Sequence, residues 1–263
     1  MVKHWKDTLL IGILGFLICL PVLLPYFNSG YFPTHDGEWA VVRAAEMFRE
    51  LKDLQFPPRF SGALNFGYGY PLFNFAYPMP YYITTVIHSF KFTFIDSVKI
   101  LFAGSVLFSF YAMYLLSFTF WKSKFSGFVC AILYIYLPYR FVDLFVRGSI
   151  GESLAFALFP CILLGMIKIV DSKKPILPII CVAILTGVLI MTHNISAFYF
   201  GIIAFVYILS QFLQKQKNTF FVILSLCWGI LLSAFFWGPA LFEKQYILLS
   251  KIPIADRNLY FVS

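Results

Sequence analysis

The sequence predicts an all-α, polytopic transmembrane helical protein, and three observations carry that expectation. Hydrophobic residues fill 60% of the 263 positions and charged residues only 12%, at a mean hydropathy of +0.83. So little charge cannot cover a water-soluble surface. Apolar stretches near the length needed to cross a ~30 Å hydrocarbon core recur along the chain. The net charge of +8 comes largely from lysines in short turns between those stretches. No basic patch interleaved with aromatic residues accompanies them, so the charge reports membrane orientation and not a nucleic-acid surface.

The apolar stretches fall at 8–27, 97–120, 125–139, 153–170, 176–191, 197–213 and 219–237, about seven spans by length, with the third short. The first follows a short basic start, carries Pro21 and Pro25 and lacks a small-residue cleavage site, so it reads as a retained helix and not a signal peptide. The basic turns are Lys3 to Lys6, Lys122 with Lys124, Lys173 with Lys174, and Lys215 with Lys217. The positive-inside rule places all four, and the N-terminus, in the cytoplasm.

That placement requires an even number of crossings between neighbouring clusters, and the segment 71–90 decides the parity. It holds Pro71, Pro78 and Pro80 together with Asn74 and His88. A straight lipid-facing helix there would leave backbone groups unpaired. The sequence therefore predicts one large first external loop, 28–96, containing two interfacial helices. The first is 36–54, where Val41, Ala44, Phe48 and Leu51 recur at helical spacing while Arg43, Glu46, Arg49 and Asp53 take other faces. The second, 77–90, follows a stop at Pro57-Pro58 and the turn-rich Gly67-Tyr68-Gly69-Tyr70-Pro71. The five cysteines all lie in apolar stretches as small hydrophobes, without disulfide or metal-ligand spacing.

With this topology the loop polar residues gather on one face. They are His35 and Asp36 in the first external loop, Arg140, Asp143, Arg147 and Glu152 in the second, and His193-Asn194 in the third. Ionisable groups at membrane depth are costly, so their accumulation on one side marks a candidate site.

An acid just after the first helix, two surface-lying helices and a charged second external loop resemble the glycosyltransferase C superfamily of membrane enzymes. More narrowly, Thr34-His35-Asp36-Gly37, Pro57-Pro58-Arg59-Phe60, Gly67-Tyr68-Gly69-Tyr70-Pro71, Pro138-Tyr139-Arg140, Val146-Arg147-Gly148, Gly151-Glu152 and Thr192-His193-Asn194 are similar, in that order, to a bacterial and archaeal group of membrane proteins labelled "6-pyruvoyl-tetrahydropterin synthase-related". Nothing in the chain looks like the soluble pterin enzyme with its zinc-binding histidines. The superfamily resemblance implies a multi-pass protein of the cytoplasmic membrane that transfers a sugar, on the extracytoplasmic face, from a polyprenyl-phosphate donor to a glycan, lipid or protein acceptor. It implies Asp36 as the base or acceptor-orienting carboxylate. It implies Arg147, and second Arg140, at the departing lipid phosphate, whose oxygens an arginine fork binds bidentately; His35, Glu152 and His193 join them as substrate-binding candidates. A divalent metal held by Asp36, Asp143 and Glu152 stays open, although the pair of acids separated by one residue found in metal-using members is absent.

Plainer readings stand beside these. Asp36 opens a helix and suits an N-cap as well as a base. His35 suits a hydrogen-bonding neighbour better than a base. Arg147 and Glu152 suit a fold-locking ion pair as well as a phosphate site. His193-Asn194 suits a helix break, and the Gly67 to Tyr70 run an interfacial aromatic belt. At the level of the whole protein, a lipid or solute transporter and a non-catalytic membrane subunit are the alternatives. The former would line a path with mid-span charges, which are few here. The chain is expected to stop at 258–263 in an external loop, as one transmembrane domain forming the N-terminal part of a longer family architecture.

Overall fold

The computed structural model describes residues 2–31 and 33–247. Regular structure among them is helical, with one isolated antiparallel bridge between Ser61 and Tyr70. Helix α1 (Val2–Leu23) runs into a tight turn at Leu24–Phe27. The first loop then carries α2 (Gly37–Lys52), the short α3 (Leu72–Phe75) and α4 (Met79–Ser89). Helix α5 (Phe94–Trp121) begins at a Thr93 cap, whose side chain accepts from the Asp96 amide. A two-residue turn leads to α6 (Lys124–Tyr136), which gives way to α7 (Pro138–Phe141) and a π-helical turn over Val142–Arg147. The chain closes with α8 (Ile150–Asp171), α9 (Ile176–Thr192), α10 (Asn194–Leu213), α11 (Thr219–Leu232) and α12 (Ala234–Glu243).

Four helical segments are long and apolar enough to cross a membrane, at Leu9–Phe27, α5, α8 and α10. Up to six qualify if two bent pairs each count as one, and α9 is a shorter apolar helix. The protein is thus an all-α polytopic membrane protein, as expected, but the stretches expected at 125–139 and 219–237 are each interrupted. The first bends by 49° because Leu137, preceding Pro138, is forced out of the helical region. The second bends by 61° at Ser233, whose hydroxyl donates back to the carbonyls of Gly229 (3.2 Å) and Ile230 (3.0 Å), a bond that competes with the helical ladder.

Packing is built around α5 and α8. Val98, Phe102, Val106 and Phe110 of α5 meet Cys19 and Val22 of α1, Ala131 and Ile135 of α6, and Ile150 and Leu154 of α8. The lower part of α8 (Leu158, Ile162, Met166) forms a second core with Val182 and Leu189 of α9, Phe200 of α10 and Val222 of α11. Small residues set the closest approach: a Cβ on Gly229 would stand 2.7 Å from the Ala183 carbonyl oxygen, so α9 and α11 touch backbone to backbone.

Residues 28–93 leave and rejoin the bundle at the same end. Lys99 Nζ near the start of α5 donates to the Asn28 carbonyl just after α1 (2.5 Å), while Tyr111 farther along α5 reaches back to Gly12 (2.6 Å), so α1 and α5 are antiparallel. At the opposite end, Asn218 Nδ2 donates to the carbonyls of Ile169, Val170 and Ser172, tying the α10–α11 turn to the α8–α9 turn. The turns holding Lys173, Lys174, Lys215 and Lys217 therefore share one end. The folded-back first loop occupies the other, and α12 is tied to that loop through Asn74 Nδ2 to Glu243 (2.7 Å) and Arg59 to the Phe235 carbonyl (3.0 Å).

Helix α2 departs from expectation on one face. Glu46 and Glu50, read as polar-face residues in the first case, are both buried. Glu46 accepts from Ser61 Oγ, and Glu50 from Gln55 Nε2 (2.7 Å) and the Gly62 amide (2.9 Å). The two acids hold down the loop that follows the helix, satisfying donors that the turn itself leaves open. The tail at 258–263 lies outside the described residues.

Candidate functional site

The signature residues of three separate loops meet at one end of the bundle, and main-chain bonds hold them there. The His35 amide donates to the Val146 carbonyl (3.0 Å) and the Asp36 amide to the Arg147 carbonyl (2.8 Å). Thr34 Oγ1 accepts from the Gly37 amide (3.0 Å), closing the turn that starts α2. Gly148 sits directly against this turn at φ +66°, and a Cβ there would overlap Thr34 Oγ1 and approach the Gly37 nitrogen to 3.1 Å. Glycine is required for both reasons. Gly151 repeats the device against the third loop: a Cβ would lie 2.5 Å from the Thr192 carbonyl oxygen and 2.6 Å from the Tyr77 ring.

Asp36 occupies the N-cap position of α2, yet its side chain makes no capping bond. The cap work falls to Thr34, and the exposed Asp36 carboxylate takes no hydrogen-bond donor among the described residues. His35 is also exposed, its amide tied and its imidazole without a hydrogen-bond partner among the described residues.

Arg147 and Glu152 form an ion pair of 2.5 Å, with Tyr139 bridging them: its hydroxyl donates to Glu152 Oε1 (2.6 Å) and accepts from Arg147 Nη1 (2.9 Å). Glu152 lies in the first turn of α8, where the helix dipole favours a negative charge. Both bonds to Arg147 use Nη1, so the Nη2 edge of its fork takes no protein acceptor among the described residues. An ion pair and a guanidinium edge without an acceptor among the described residues coexist in one side chain.

Arg140 lies elsewhere. It is 1% exposed, donates to the Ser153 carbonyl (3.1 Å) and to Ser109 Oγ (3.3 Å), and stacks on Phe156 at 4.9 Å. It bolts α7 to α5 and α8 from within. Asp143 is fully buried beside it, and neither carboxylate oxygen has a hydrogen-bond partner. Arg140 attracts this carboxylate but does not outweigh its burial. Among the described residues no three His, Cys, Asp or Glu side chains converge to hold a metal. Asp36, Asp143 and Glu152 therefore do not form one donor set.

His193 is buried at the α9–α10 break and caps α10, its Nδ1 accepting from the Ser196 amide (3.3 Å). Burial holds its pKa below the ordinary value; Glu152 opposes this and Arg147 reinforces it, so both charges lie within reach of the ring. Tyr77 packs edge-on against it at 5.3 Å and stacks on Tyr81. Burial, with Tyr81 and the Asp36 charge adding to it, pushes the Tyr77 phenol above its ordinary range and keeps it a neutral hydroxyl. Tyr77 and Tyr139 are the members of this cluster that sequence reasoning gave no role, Tyr139 appearing only inside the Pro138-Tyr139-Arg140 motif; each adjoins a proline, an ambiguous signal in so aromatic a chain.

A family model described as "6-pyruvoyl-tetrahydropterin synthase related domain; membrane protein" matches residues 73–253. A protein of Lactococcus lactis subsp. cremoris (strain MG1363), described as "Uncharacterized protein", is 24% identical over 236 residues. That match takes in 85% of this chain and 38% of the relative, so the chain spans well under half the length of the protein it resembles.

Proposed function

The chain belongs to the 6-pyruvoyl-tetrahydropterin synthase related family of membrane proteins, and we propose that it is a glycosyltransferase moving a sugar from a polyprenyl-phosphate donor to an acceptor hydroxyl. The lysine-bearing turns share one end of the bundle, which the positive-inside rule assigns to the cytoplasm, so the Asp36 end faces outward from the cytoplasmic membrane. The observation that carries the reading is the Asp36 carboxylate. It is exposed, without a capping bond, and fixed by backbone bonds to the loop that presents Arg147.

In the proposed step Asp36 takes the proton of the acceptor hydroxyl as the acceptor oxygen bonds to the anomeric carbon. The bond from that carbon to the phosphate oxygen breaks, and the polyprenyl phosphate leaves with the electron pair. The open edge of Arg147 meets the charge that develops on the phosphate. Arg140 acts as a positioning residue through α7, and no step runs through a metal.

The test is transfer from a radiolabelled polyprenyl-phosphate hexose in proteoliposomes. Asp36→Asn is expected to lower transfer by about 10²–10⁴-fold with unchanged thermal unfolding, because the exposed Asp36 side chain makes no capping bond that could be lost. Wild-type rates in the variant remove Asp36 from the mechanism. Translocation of the lipid without sugar release would replace the enzyme with a transporter.

A further inference from the structure

Between α9, α10, α11 and α12 lies a partly open cavity of 780 Å³ with overwhelmingly apolar walls, within the ~300–1,000 Å³ of typical ligand sites. Asn194, Gly201 and Ile208, two turns apart on one face of α10, run its length, with Leu226 and Trp237 opposite. We propose that this groove holds the isoprenoid chain of an anionic polyprenyl phosphate, an inference that rests on the transferase reading and adds to it where the donor lipid sits.

Three observations select this occupant. The α10 wall from Asn194 to Ile208 is about 21 Å long at 1.5 Å per residue, whereas an ordinary acyl chain fills only its own leaflet, about 15 Å or half the core. The groove thus suits a chain that passes the midplane. Its upper end, Asn194, lies two residues past Thr192, whose carbonyl packs against Gly151 next to the Glu152–Arg147 ion pair, so a chain in the groove has its head at the end of the bundle that holds the open edge of Arg147. A Cβ on Gly201 would meet no atom within 4 Å, so the described residues leave the slot open at its centre.

The experiment titrates radiolabelled undecaprenyl phosphate against the full chain in phosphatidylcholine nanodiscs. Saturable binding is expected, weakened about tenfold, equivalent to 1.4 kcal/mol, by Gly201→Phe. That ring has open space, so thermal unfolding stays unchanged, and Gly201→Ala keeps wild-type affinity. Absence of wild-type binding, or equal affinity in Gly201→Phe, overturns the proposal. Equal displacement by dioleoyl phosphatidic acid also overturns it, giving the groove to ordinary acyl lipids. The two readings separate cleanly. Loss of binding in Gly201→Phe with no sugar transfer by the wild type keeps the groove and discards the enzyme; transfer that depends on Asp36 with binding indifferent to Gly201 does the reverse.

Discussion

The two ends of the bundle are held together by different kinds of chemistry. At the lysine end, contacts such as Ser123 accepting from the Ser126 amide are short-range caps and turns, while Asn218 reaches across to the α8–α9 turn. At the Asp36 end the loops are joined over more than a hundred residues, by backbone bonds from His35 and Asp36 to Val146 and Arg147 and by Gly148 pressed against Thr34, with Gly151 pressed against Thr192 of the third loop. One end reverses the chain; the other assembles groups that are far apart in sequence. A structure whose only task was to cross the membrane would have no need of the second arrangement.

The largest expected effect comes from the buried bolt beneath the site. Arg140→Leu leaves the Asp143 carboxylate buried, without a hydrogen-bond donor and without the neighbouring guanidinium, and should cost about 3–5 kcal/mol. Thermal unfolding in detergent measures it. The double variant with Asp143→Leu should recover most of the loss, and a double variant as unstable as the single would show that the two charges do not balance one another.

Gly148→Ala should rank next, at about 1–3 kcal/mol, because alanine must hold φ +66° and its methyl meets Thr34. The same variant should lower any transfer activity, since Thr34, Asp36 and Arg147 share that junction. At the lysine end, Asn218→Ala removes three donations to carbonyls and should cost only about 1 kcal/mol. A loss at Asn218 equal to that at Gly148 would erase the distinction between the two ends.

The difference between the ends also explains what the sequence revealed. Helices, basic turns and the proline-rich first loop obey local rules, so the lysine turns and the folding-back of the first loop, expected over 28–96, were legible. The breaks at Pro138 and Ser233 were legible in principle: proline constrains the residue before it, and serine competes for helix carbonyls. The candidate-site end was legible only as a set of motifs. That Arg140 points inward and Arg147 outward, seven positions apart, depends on a π-turn that no periodicity announces. The burial of Glu46 and Glu50 depends on where the loop after α2 folds, which helix spacing does not encode.

The smallest predicted effect sharpens the comparison by pH. His193 caps α10 with a neutral ring whose folded pKa lies below the ordinary value, chiefly through burial. Above about pH 6.5, the ordinary histidine value, neither the folded nor the unfolded state protonates it, and its full contribution is present. As pH falls below that point the unfolded state takes up the proton first, so stability declines until the folded ring titrates as well. Acidification from neutral pH should therefore lower the melting temperature of the wild type. His193→Asn keeps a capping acceptor but cannot titrate, so its melting temperature should fall less over the same interval. Equal slopes for the two proteins would mean that the acid sensitivity comes from other groups, and that the third loop is joined to the site by packing against Tyr77 and Gly151 alone.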